Sequence, residues 1–189
     1  MKKYACIFAV FISGTGIASN NLEFYGKLTE STCDVGVSGS ESNTVILPRI
    51  INNQLPAINS TAGLTTFILM AKNCTVAPGY TFVSAFFNAN NFDGEGVNNV
   101  DSATGYLNNL ASTSPASDVK LIIRDTGDSY IKVGSASQVK NNKYKAFQYA
   151  GPSGNIAYIP YLVEYIKTAD TGHDVGAVRG VVTYDLMYK

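Results

Sequence analysis

The chain of 189 residues contains no tryptophan, one histidine (His173) and three cysteines. Most metal sites built from His and Cys are therefore starved of parts, and Ser-His-Asp chemistry has a single candidate base. Charged residues make up 15% of the chain, against a usual share of about 25%. Fourteen basic residues cancel fourteen acidic ones. A protein that grips nucleic acid by neutralising phosphates needs a basic face, and nothing here supplies one. No apolar run approaches the roughly 20 residues that cross a membrane as a helix. What is present points elsewhere. Hydrophobic residues reach 46%, enough for a buried core and too much for a disordered chain. Twelve Tyr and nine Phe, with many Val, Ile and Thr, favour β structure. Seventeen Gly, with abundant Asn and Ser, supply turns. The length suits one domain.

The N-terminus has three parts. Met1-Lys2-Lys3 is basic, Tyr4 to Ile12 is apolar and uncharged, and Ser13 to Ala18 is small, with Gly16 and Ala18 placed for cleavage. This is the pattern of a secretory signal peptide over residues 1–18, cut after Ala18 or Ser19. Cleavage removes Lys2 and Lys3, leaving a slightly acidic chain, and also removes Cys6. Cys33 and Cys74 remain, an even pair in an exported protein, and are expected to form a disulfide.

The remainder, 19–189, reads as one domain of short strands with period-two or compact apolar patterns. Expected strands are Thr44–Leu47, Thr66–Lys72, Tyr80–Asn88, Val119–Arg124, Tyr130–Val133, Lys145–Tyr149, Ala157–Lys167 and Ala177–Lys189. Ile159, Tyr161, Val163 and Tyr165 alternate onto one face, and Asp125-Thr126-Gly127-Asp128 reads as a turn. No window carries a capped amphipathic helix. An all-β antiparallel sandwich of immunoglobulin type follows, with a closed barrel as the alternative.

Catalytic and metal-binding candidates are few. His173 lies between Asp170 and Asp174, in a stretch that reads as a polar turn, and no Gly-x-Ser-x-Gly elbow is present. Asp93-Gly94-Glu95 offers too few oxygens for a calcium loop. No enzyme activity, cofactor or metal is expected.

Two segments carry more information. Within residues 19–30, Leu22, Phe24, Gly26 and Leu28 share one face of an extended strand. A glycine in mid-strand marks close approach of another backbone. At the other end, Gly176, Val178, Gly180, Val182, Tyr184, Leu186 and Tyr188 alternate toward Lys189. Gly26 precedes Cys33 by seven residues and Cys74 follows it by 41. Tyr188 is penultimate and Gly176 is fourteenth from the end. With Asp118–Asp125 and Ile159-Pro160-Tyr161, this joint spacing resembles a pilin subunit of the chaperone–usher pathway, of the type 1 and P pilus kind.

The resemblance implies an incomplete immunoglobulin-like sandwich lacking its last strand and completed by donor-strand complementation. It implies a structural subunit of a bacterial fimbria that supports cell adhesion. Residues 19–30 would be the extension donated to the next subunit, with Leu22, Phe24 and Leu28 filling pockets and Gly26 entering where no side chain fits. The final strand, from Gly176 to Tyr188, would line this subunit's own groove and bind a periplasmic chaperone, with the Lys189 carboxylate meeting basic chaperone residues. Further implied partners are an outer-membrane usher and neighbouring pilins in a head-to-tail polymer, reached by export through the periplasm to the cell surface. A tip adhesin with a host receptor and a terminating minor pilin remain alternatives to a shaft subunit.

Overall fold

The computed structural model describes residues 31–89, 98–172 and 175–189. The signal segment 1–18, the extension with Leu22, Phe24, Gly26 and Leu28, the acidic pair around Gly94, and His173 with Asp174 lie outside the described residues.

Among the described residues nine strands form two antiparallel sheets, and neither closes into a barrel. The larger has the order β1 (Thr32–Val37), β2 (Thr61–Thr75), β8 (Asn155–Lys167), β4 (Val119–Asp125), β5 (Tyr130–Ile131). β7 (Gln148–Tyr149) joins the start of β8. The smaller sheet has the order β6 (Lys145–Ala146), β3 (Phe82–Asn88), β9 (Thr183–Tyr188).

The core lies between the sheets because alternate residues of each strand point the same way. In β8, Ile159, Tyr161 and Val163 are buried with Tyr165 partly so, as their alternation requires. They meet Leu69 and Ala71 of β2, Leu121 and Ile123 of β4, and Val83, Ala85 and Phe87 of β3. Cys33 of β1 is disulfide-bonded to Cys74 of β2, as the exported pair requires. The turn after β4 forms at Asp125, whose carboxylate accepts from the Gly127 and Ser129 amides.

Several strand boundaries differ from those expected, each for a local reason. Thr44–Leu47 is extended but joins no ladder, although Val45 and Leu47 pack on the core while Thr44 and Ile46 face outward. Lys145–Tyr149 is not one strand. It changes sheets at Phe147, pairing with β3 through Lys145–Ala146 and with β8 through Gln148–Tyr149. The last strand is regular only over Thr183–Tyr188, because its partner β3 ends at Asn88 opposite Thr183. Upstream, the backbone of Ala177 and Arg179 is bonded to Ser114, Ala116 and Leu110. Tyr130–Val133 stops at Ile131, ahead of the turn at Gly134. β1 and the single-turn helix α1 (Gln138–Asn141) lack the periodicity that marks longer elements.

Candidate functional site, an open cleft between two sheet edges

The two sheets are not closed on the side where β1 and β9 lie. β1 pairs only with β2, and β9 only with β3, among the described strands. Between those edges runs a cleft of about 920 Å³. One wall is Val37 with the unladdered segment Ser42–Leu47, and the other is Val178–Tyr184. Its floor is core: Phe67, Leu69, Phe87, Ile123, Val163 and Tyr165. The walls converge toward the end of β9, where the Tyr188 hydroxyl lies 3.8 Å from Cys33 Sγ.

The polarity of the β9 edge follows from register. Lys189 exchanges backbone hydrogen bonds with Phe82, so by antiparallel alternation Thr183, Asp185 and Met187 also turn their peptide groups toward β3. The N–H and C=O groups of Tyr184, Leu186 and Tyr188 therefore point away from β3, toward the open edge. An edge of this kind, above apolar side chains, is a template for another strand.

The residues expected to form the groove fall into three groups. Val178, Gly180, Val182 and Tyr184 line the cleft. A Cβ on Gly180 would stand 2.8 Å from Leu121 Cδ1, so a larger residue there presses on the floor. Leu186 and Tyr188 pack against the core further along β9. Phe147 stacks on the Tyr188 ring, and the Lys189 ammonium lies 5.7 Å from the Tyr144 ring centroid. Gly176 does not line the cleft; it lies in a bend upstream of it with φ +150, where a Cβ would collide with the backbone of Ser114–Ala116.

Sequence reading missed the opposite wall as a wall. The alternation of Val45 and Leu47 was visible, but which strand they would face depends on the fold. The floor residues likewise read as ordinary core. Burial raises the phenol pKa of Tyr165 and Tyr184, so both are neutral at physiological pH in a largely apolar cleft that Arg179 also lines. No His, Cys, Asp and Glu group among the described residues has a metal-binding arrangement, and Lys167 is ion-paired with Asp170 at 2.8 Å.

Comparison with known proteins agrees with this geometry. The family model of FimA, type-1 fimbrial protein A, matches residues 47–189. The chain is 27% identical over 172 residues to the major fimbrial subunit SMF-1 of Stenotrophomonas maltophilia strain K279a, covering 91% of this chain and 94% of that one. It is 26% identical over 182 residues to the serotype 2 fimbrial subunit of Bordetella pertussis, covering 86% and 83%. A solved chaperone–usher pilus structure superposes with a TM-score of 0.53 at 15% identity, over 96% of this chain and 99% of that one. That likeness speaks to the fold, an immunoglobulin-like pilin sandwich. The family match spans most of the chain, and the chain therefore belongs to the type-1 fimbrial protein family, as a structural subunit of a bacterial fimbria.

Proposed function

We propose that this subunit polymerises head to tail by donor-strand exchange. The observation that carries the reading is the apolar cleft beside the open β9 edge. A strand laid there gains backbone hydrogen bonds from Tyr184, Leu186 and Tyr188, and its alternate side chains reach the floor, the general mode of strand addition. The donor is the segment 19–30 of a second copy or a related pilin, with Leu22, Phe24 and Leu28 as anchors and Gly26 where space is least. Three buried apolar side chains stabilise the contact by about 5–9 kcal/mol before entropy costs. Donor and acceptor surfaces differ, so the contact propagates as a filament and does not close.

In this reading residues 1–18 direct export and are removed. A periplasmic chaperone occupies the cleft with its own strand until an outer-membrane usher exchanges it for the next subunit's extension. Gly26→Leu tests the assignment, since overpacking a tight site costs about 1–3 kcal/mol. The variant should fold and bind chaperone as wild type does, because in this reading the extension serves the next subunit, while its incorporation into fimbriae drops. Incorporation at the wild-type level would remove Gly26 from the donor role.

A further inference from the structure

β3 has two edges, and the structure treats them oppositely. Toward β9 it is paired along its whole length. On the far side β6 covers only Phe82 and Val83. Beyond Val83 the peptide groups of Ala85 and Phe87 face that edge, and an edge with free donors and acceptors invites another strand. All four groups are instead bonded to side chains, and the Phe87 carbonyl accepts from the Gly134 N–H at 2.9 Å as well. The Ala85 N–H donates to the Tyr161 hydroxyl at 2.9 Å, and its carbonyl accepts from Asn142 Nδ2 at 2.8 Å. The Phe87 N–H donates to Gln138 Oε1 at 3.0 Å, and its carbonyl accepts from Gln138 Nε2 at 2.9 Å.

The Gln138 amide thus bonds to Phe87 as a facing strand residue would, with one donor and one acceptor. Gln138 and Asn142 are four residues apart around α1, on one helical face, and Asn142 Nδ2 also reaches Gln138 Oε1 at 3.3 Å. Both are buried, as is Tyr161. An incoming strand would have to expel three buried side chains, two of them, Gln138 and Asn142, bonded to each other. The β9 edge has no comparable cover among the described residues.

We infer that Gln138, Asn142 and Tyr161 are specificity-determining residues for assembly, closing the far edge of β3 to strand addition so that, of this sheet's two edges, only the β9 edge accepts a donor. The inference rests on the donor-strand reading above. It explains why the same sheet gives a linear chain: with both edges open, a subunit would accept strands at two places and branch.

The test uses the full chain with its cleft saturated by a synthetic peptide of residues 20–31. Sedimentation follows self-association, and hydrogen exchange locates it. Wild type should remain unassociated. Gln138→Ala/Asn142→Ala should keep associating with the cleft filled, and the Ala85–Phe87 segment should gain amide protection on association. A core variant, Ile131→Ala, keeps the edge cover, loses stability, and should behave as wild type. Should the double variant fail to fold, Asn142→Ala alone frees the Ala85 carbonyl and should shift the same way. A folded edge variant that stays unassociated overturns the inference, as does equal association of Ile131→Ala. Wild type that associates despite the peptide counts against the donor-strand reading instead, and protection at Ala85–Phe87 confined to the edge variants would still support the edge assignment.

Discussion

Tyr161 joins packing and polar satisfaction in one side chain. Its ring meets Phe87 edge-on at 4.9 Å and Phe67 at 5.7 Å between centroids. Its hydroxyl accepts from the Ala85 amide and lies 3.2 Å from Ser84 Oγ. Tyr161→Phe keeps the ring and removes the partner of a buried amide. An unsatisfied buried donor costs about 1–3 kcal/mol, so urea denaturation should show a loss of that size with little change in slope. Ser84→Ala removes a hydroxyl that also bonds the Lys143 carbonyl, and leaves the Ala85 amide its acceptor, so its effect should be smaller. The sequence showed Tyr161 on the inward face of its strand. It did not show what the hydroxyl bonds, because Ser84 and Ala85 are distant from Tyr161 in the chain and meet it only through the fold.

At the scale of elements, β1 depends on one neighbour. It pairs with β2 from Thr32 opposite Thr75 to Val37 opposite Leu69, and the Cys33–Cys74 bond ties the two together. Reducing that bond, or Cys33→Ser/Cys74→Ser, should destabilise the fold by about 2–4 kcal/mol. Amide exchange should rise first along β1, since it forms one wall of the cleft without a second partner strand. The long alternating strands were legible: β8 and β4 follow their apolar patterns closely. The two short strands near Phe147 were not, because a run of five residues carries no sign of which sheet each half will join. Thr44–Leu47 has the alternation of a strand and no ladder. The pattern records which face is buried, while pairing depends on whether a neighbour stands beside it.

The whole molecule is held by groups that set a pH window. Burial pushes the Tyr130 phenol up to about 12, and raises Tyr144, Tyr161, Tyr165, Tyr184 and Tyr188 above the ordinary 10.0. Their contribution is complete below pH 10.0 and is lost as pH climbs through the folded-state values, since the unfolded chain then releases protons that the folded one holds. Asp101 moves the other way. Its hydrogen bond from Lys120, at 2.6 Å, holds the carboxyl well below the ordinary 3.8, so that contribution is lost as pH falls below that value. The urea midpoint should therefore be flat between these limits and drop on the alkaline side together with the rise of tyrosinate absorbance. The family was legible through the resemblance carried by the joint spacing of Gly26, Cys33, Cys74, Gly176 and Tyr188. The cleft itself was not, because its floor is drawn from four separate strands whose juxtaposition no spacing records. The central claim is that a neighbour's strand completes the β9 edge. Hydrogen exchange of Tyr184, Leu186 and Tyr188 amides tests it most directly, comparing the monomeric subunit with assembled fimbriae. Fast exchange in the monomer and strong protection in the fimbria are predicted for these three, with Thr183, Asp185 and Met187 protected in both. Equal exchange of Tyr184 and Leu186 in the two states would contradict it.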